Sequence, residues 1–439
     1  MPDLTLLRYA LTAALAGLLF GFDTVVISGA EQALEALWQR GEVFHGAVVI
    51  GSALWGTVVG ALTGGWPTDR FGRKATLVGI GVLYTASALG SALATDPFTF
   101  AALRFVGGLG VGASTIAAPA YISEIAPAAD RGKLTALYQL NIVLGILLAY
   151  VSNYLLSGFA GEAWRYMIGV EALPAVVYTL LALTLPLSPR WLAAQGREEE
   201  ARAVMRGLPR GDQLAAEWAR GTDRPEAAFR RSLLDARLRR PVLLAVAIAA
   251  FNQLSGINAF LYYAPRVFEA AGLGARTALL NSVGIGVVNL VFTFLGLALI
   301  DRLGRRTLMY AGSVGYVVSL SLVAAAFWLG WSPLAVPAFL FVFIAAHALG
   351  QGTVIWVFIA EIFPQAQRAS GQALGSSVHW VLAAAIPSAV PALFRAVGTA
   401  PVFATFALLM VGQLIWVWRA MPETRGVPLE RLTAELSGR

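Results

Sequence analysis

The chain has 439 residues, 58% of them apolar and only 13% charged, far from the balance of a soluble globular domain. It contains no cysteine, which excludes a disulfide framework and any thiolate metal site. The formal net charge of +7 would suit a polyanionic partner, but the placement of that charge argues against nucleic acid.

In chain order, the apolar residues fall into blocks near the ~20 residues that a bilayer-spanning helix needs. Twelve are predicted: 8–30, 45–64, 74–95, 98–121, 134–157, 164–185, 241–265, 277–300, 307–330, 336–360, 370–394 and 401–420. The first lacks a small-residue cleavage site, so it reads as a retained helix and not a signal peptide. Within it, "LLFGFDTVVISGA" carries Asp23, where an ionised carboxylate costs roughly 2.5–3.5 kcal/mol. Such a group needs a partner, a proton or a role. Arg104, which opens "RFVGGLGVG" in the fourth block, is the obvious counterpart, and the glycines behind it allow close helix approach. Glu171, in "WRYMIGVE", is a second acid that could relay a proton or hold a helix end.

With alternate loops and both termini assigned to one side, that side holds 26 Lys and Arg and the other holds 4. This is the positive-inside signature, so both termini are expected in the cytoplasm. The positive charge is topological. Residues 186–240 form a polar insert whose short charged amphipathic runs are broken by Gly and Pro, which predicts three or four cytoplasmic surface helices. In the seventh block, "NQLSGINAFLYY" is the densest amide cluster. Gly256 is predicted to break the helix there, and Asn258 and Tyr262 share a face by i,i+4 spacing.

The chain also repeats itself. "DRFGRKATL" at Asp69 returns as "DRLGRRTL" at Asp301, an offset of 232, and "EIAPAADRG" at Glu124 returns as "EIFPQAQRASG" at Glu361, an offset of 237. Two motifs in the same order at nearly the same separation imply a six-plus-six duplication. The expected architecture is therefore an all-α membrane protein with pseudo-symmetric six-helix halves at 1–185 and 241–420, a helical linker at 186–240 and a tail at 421–439. Halves related this way usually enclose a substrate site near the bilayer midplane.

Ten stretches in order, "GFDTVVISG", "GGWPTDRFGRK", "RFVGGLGVG", "YISEIAPAADRGKL", "WRYM", "SPRWL", "NQLSGINAFLYYAP", "DRLGRR", "AEIFP" and "PETRG", resemble the sugar porter branch of the major facilitator superfamily across nearly the whole chain. In that family's proton symporters, an aspartate and an arginine matching Asp23 and Arg104 form the protonation pair. Its facilitative carriers commonly have a neutral residue, often asparagine, at the first position. The resemblance thus implies a proton-coupled monosaccharide symporter, glucose-like in substrate, working by alternating access. A facilitative uniporter, or a porter for xylose or a cyclic polyol, is the alternative.

A sugar site needs amides and hydroxyls for the ring hydroxyls, and aromatic faces for its C–H surface. The resemblance implies Gln139 on the fifth helix, Gln253, Asn258 and Tyr262 on the seventh, Asn289 on the eighth, and Trp356 on the tenth. Phe20 and Gly352 are implied near the pocket. Asn252 stands where the family often has glutamine, and His379, before Trp380, where it often has an amide; both positions and Trp380 are kept as candidate contacts. Ile146 is isoleucine, as in animal glucose carriers, where bacterial xylose symporters have glutamine. Thr353 replaces the tenth helix's usual proline, which leaves a proline kink without its residue. Tyr263 suits an outer gate, and His45 and His347 read as structural. On the cytoplasmic side, Asp69, Arg70 and Arg73 are expected to pair with Glu124 and Arg131, and Asp301, Arg302 and Arg305 with Glu361 and Arg368. In the family such pairs latch helix ends when the carrier faces outward; topological anchoring is the plainer reading.

No nucleotide loop, metal-ligand cluster or nucleophile triad is visible, and Glu198–Glu200 read as a solvated charge run. An enzyme, a cofactor and a bound metal are therefore not expected. The expected partners are a monosaccharide, the proton and the lipid bilayer, with no nucleic acid, for a monomer in the cell membrane. Non-transporting sugar sensors carry long signalling tails, against the short 421–439 here.

Overall fold

A computed structural model describes residues 3–159, 161–219, 233, 235–364, 367–427, 432, 435 and 436. Twelve helices in it are long and apolar enough to cross a membrane: Leu4–Gly29, Glu42–Thr63, Arg73–Leu93, Pro97–Ile125, Ala128–Leu156, Ala163–Leu183, Ala236–Ala270, Ala275–Leu303, Arg305–Leu329, Ala335–Ile362, Arg368–Val397 and Thr399–Arg419. These are the first to twelfth spans below, and they match the twelve apolar blocks. Several run past the apolar block into polar flanks, because backbone hydrogen bonding and not hydropathy decides where a helix ends. The chain forms two compact units, one of Met1–Ala30 with Ser52–Glu226 and one of Glu31–Gly51 with Ala227–Arg439.

In the first unit, bare backbone lies against bare backbone. A Cβ on Gly21 would sit 1.9 Å from the carbonyl oxygen of Ile142, and one on Gly145 would sit 2.0 Å from that of Leu18. The first and fifth spans therefore touch at a depth that only glycine permits. Lipid tails supply no hydrophobic drive between helices, so such close packing is a main source of their attraction. The first span ends in a turn of 3₁₀ helix, Ile27–Gly29, and the amide of Asn153 donates to the Val26 carbonyl at 3.0 Å.

The insert contributes helices Pro189–Ala194, Glu198–Gly207 and Gly211–Ala219 to this unit. Arg210 pairs with Asp130 at 2.5 Å, and Glu217 lies 3.7 Å from Arg131. Both ties fix the insert to the start of the fifth span. Residues 220–232 and 234, where a fourth surface helix would fall, lie outside the described residues.

In the second unit, the seventh span is two helices, Arg239–Leu254 and Ile257–Ala270, joined at Gly256 with φ +81°. That left-handed conformation is why the sequence breaks there. The tenth span breaks as well, at Gly350 (φ −90°, ψ −97°), between Ala335–Leu349 and Gln351–Ile362. No proline is involved. Gly350 packs against Gly312, where a Cβ would meet the other residue's Cα at 3.0 Å, and Thr353 donates its hydroxyl to the Ala348 carbonyl at 2.6 Å.

The segment Glu31–Gly51 belongs to this second unit and is held there by charge. Arg266 donates to both carboxylate oxygens of Glu31 at 2.8 Å and also pairs with Glu35. His45 lies 3.4 Å from Glu31, and Arg395 pairs with Glu42. Sequence alone treats Arg266 and Arg395 only as sparse charges on the lightly charged side. Tyr263 donates to the Pro387 carbonyl at 3.1 Å beside them.

Candidate functional site

Asp23 and Arg104 meet. The guanidinium donates to Asp23 Oδ1 at 2.5 Å and to the Asp23 backbone carbonyl at 3.1 Å, and the two residues are only 2% and 1% exposed. On the glycine-rich fourth span, a Cβ on Gly107 would stand 3.8 Å from Asp23 Oδ1, and one on Gly108 only 2.0 Å from the Ala53 carbonyl oxygen of the second span. Glu171 is buried in the same unit, 1% exposed. Neither of its carboxylate oxygens has a hydrogen-bond partner among the described residues. Two buried acids and one buried arginine are thus gathered in one part of the unit, with the guanidinium on Asp23. Sequence reasoning missed Tyr84 and Ser87 of the third span, whose buried hydroxyls also find no partner among the described residues. Ser87 Oγ lies within 2.4 Å of where a Gly107 Cβ would be, on the Asp23 side of that glycine. No motif marks these residues, because a hydroxyl in an apolar run is common.

The same unit carries Phe20 on the first span and Gln139 on the fifth, both half-buried. Ile146, about two turns further along the fifth span, is buried.

In the second unit the amides form a chain. Ser313 accepts from Gln413 at 2.8 Å, Gln413 from Gln351 at 2.9 Å, and Gln351 from Asn252 at 3.5 Å. Asn252 accepts from Gln253 at 2.8 Å, and Gln253 from Asn258 at 2.9 Å. Gln253 also lies 3.3 Å from a ring nitrogen of His379. The Trp356 and His379 rings sit 5.2 Å apart, and His379 and Trp380 5.0 Å apart and edge-on. Six of the predicted contacts therefore touch in two groups, amides and aromatics, bridged by Gln253 and His379. Gln351, Gln413 and Ser313 were not foreseen. Tyr262 and Asn289 are buried. At Gly352, a Cβ would press on the His347 carbonyl at 3.2 Å. His347 itself bonds the Tyr316 hydroxyl at 2.5 Å, which ties the tenth span to the ninth.

The duplicated motifs give the same construction twice. Arg73 bonds Asp69 at 3.0 Å and Glu124 at 3.0 Å, and Glu124 accepts from the Ser188 hydroxyl at 2.5 Å. Arg305 bonds Asp301 at 2.9 Å and Glu361 at 2.8 Å, and Glu361 accepts from the Thr424 hydroxyl at 2.5 Å. The hydroxyls come from "SPRWL" and "PETRG", motifs whose contact with the acids the sequence does not show. Gly72 and Gly304 precede the arginines with φ +89° and +94°, turning the chain between spans where a side chain would strike Trp191 or Glu423. The expected pairing differs in detail. Arg131 faces Glu217 instead of Glu124, because the insert brings its own acid to the fifth span. Arg70 and Arg302 are exposed, and Arg368 is half-buried.

Two units of membrane helices that each repeat one acid–arginine–hydroxyl construction, one carrying a buried ion pair and the other an amide–aromatic set, define a multi-pass membrane transporter and not an enzyme. The chain belongs to the sugar porter family of the major facilitator superfamily: the family described as "Sugar (and other) transporter" matches residues 9–436. It is 35% identical to the D-xylose transporter of Levilactobacillus brevis over 437 residues, 96% of this chain and 94% of that protein. It is 32% identical to the D-xylose-proton symporter of Escherichia coli (strain K12), covering 97% and 94%. The solved partially occluded inward open conformation of the xylose transporter XylE from E. coli superposes with a TM-score of 0.85 at 31% identity, covering 97% and 100%.

Proposed function

We propose that this chain is a proton-coupled monosaccharide symporter with both termini in the cytoplasm, in which Asp23 takes up the proton and Arg104 is its counter-ion. The single observation that carries the reading is the buried Asp23–Arg104 contact, with Glu171 buried in the same unit. Burial favours the neutral acid and a guanidinium favours the carboxylate. A change in the Asp23–Arg104 distance between outward and inward forms therefore changes proton affinity, and by linkage proton binding changes the conformational balance. The Escherichia coli relative named as a D-xylose-proton symporter supports the same coupling.

For the substrate, the amide chain and the Trp356–His379–Trp380 cluster suit a pyranose, with hydroxyls bonded by Gln253 and Asn258 and a C–H face against Trp356. Ile146 favours a glucose-like hexose. The two relatives named for D-xylose favour a pentose as the second reading. Purified protein in liposomes, given a panel of hexoses, pentoses and cyclic polyols with and without an imposed pH gradient, separates these readings. Gradient-stimulated uptake of glucose above xylose is expected; uptake blind to the gradient would make the chain a uniporter.

Trp356→Leu is expected to raise the half-saturation concentration on the order of tenfold, the loss of about 1–1.5 kcal/mol of ring contact. An unchanged value removes Trp356 from the site. Asp69 is 77% exposed, so Asp69→Asn is expected to shift the outward–inward ratio toward inward by about fivefold at most, the upper end for an exposed pair. Glu124→Gln, at 9% side-chain exposure, should shift it further. The chain has no cysteine, so single introduced cysteines labelled from either side measure both, and equal shifts would contradict the ranking.

A further inference from the structure

A cavity of about 590 Å³ opens where the seventh span begins and the twelfth ends, with Arg237, Arg239, Arg240 and Arg419 on its wall. All four arginines are exposed. Among the described residues none of their guanidiniums pairs with a carboxylate; the nearby Asp235 carboxylate accepts from the backbone N–H of Arg237 at 3.0 Å. Anchoring by positive charge alone needs arginines near the bilayer surface, not four around one cavity. The rest of the wall is apolar. It includes Trp416 and Leu243, and Leu243 is 57% exposed on the span surface, where acyl chains would lie. Concentrated positive charge at the headgroup level, continuous with an apolar wall, matches a phospholipid and not a free anion, which would have no use for that wall.

We propose that this cavity binds the phosphate-bearing headgroup of an anionic phospholipid, with the four arginines on the phosphate and Leu243 and Trp416 against the first part of the chains. The assignment is independent of the transported substrate and of proton coupling, since it concerns a different part of the fold.

The test uses the full-length protein, delipidated in detergent and titrated by native mass spectrometry with phosphatidylglycerol, phosphatidylcholine and inorganic phosphate. Phosphatidylglycerol is expected to bind in preference to phosphatidylcholine. The triple variant Arg239→Gln, Arg240→Gln, Arg419→Gln is expected to lower phosphatidylglycerol affinity by about fivefold per guanidinium, on the order of 100-fold in all. Phosphatidylcholine binding should not change. Replacing the same three by lysine keeps the charge and is expected to retain most of the binding, which guards against reading a folding defect as a lost site. Equal phosphatidylglycerol affinity in the glutamine variant and the parent would overturn the proposal. So would full displacement of the lipid by millimolar inorganic phosphate, which would make this an anion site only.

Discussion

Asp23→Asn is expected to abolish concentrative uptake while leaving counterflow exchange of sugar intact. One proton crossing 100 mV carries about 2.3 kcal/mol. At about 1.4 kcal/mol per tenfold, that supports roughly 50-fold accumulation before any pH gradient. An asparagine removes the proton site but keeps the shape and an acceptor oxygen, and Arg104 retains its bond to the residue 23 backbone carbonyl, 3.1 Å in the parent. The fold should therefore survive, and accumulation should fall to about unity if no other group supplies the proton. Labelled-sugar uptake into proteoliposomes under a fixed potential, with exchange measured on the same preparation, checks both halves. A variant that still concentrates sugar would show that Asp23 is not where coupling occurs.

Arg305→Leu is the second large effect, this time on stability. Arg305 is only 9% exposed and binds four oxygens: two of Glu361, one of Asp301 at 2.9 Å, and the Ile300 carbonyl at 3.2 Å. Removing it leaves Glu361 charged with the Thr424 hydroxyl as its remaining partner among the described residues. Breaking one side of a buried pair costs about 3–5 kcal/mol. Glu361 is 21% exposed, so about 2–4 kcal/mol is the better figure after solvent screening. The melting temperature in detergent should fall by roughly 2–4 °C for a chain of this length. Asp301→Asn should lower it by about a degree at most, since Asp301 is 81% exposed. Equal losses in the two variants would mean that burial does not rank these contacts.

Much of this architecture was legible because lipid leaves the sequence few choices. Spans must be apolar and about the right length, so twelve blocks gave twelve helices. Charge is costly in lipid, so the scarcity of deep ionisable groups was enough to bring Asp23 to Arg104 across 81 residues of sequence. The duplicated motifs were legible because they repeat. What stayed hidden depends on partners that carry no pattern of their own. The Glu31–Arg266 contact joins residues 235 apart, both at helix ends where a charge is unremarkable. Arg131 took Glu217 because the insert's fold, not its composition, decides which acid arrives there. Gln351 and Gln413 are ordinary amides until three helices place them in one chain of bonds with Asn252.

The break at Gly350 has a mechanical meaning. A proline would have removed one amide hydrogen and left its carbonyl partner permanently short of a donor within the hydrocarbon layer. Here the glycine keeps both of its own backbone bonds: Gly350 N–H donates to the Ala346 carbonyl and the Gly350 carbonyl accepts from Val354 N–H, each at 3.0 Å. The bend comes from one dihedral of a residue with no side chain to obstruct it. The half that carries Trp356 therefore takes its direction from a residue that gives up neither its donor nor its acceptor to make the bend.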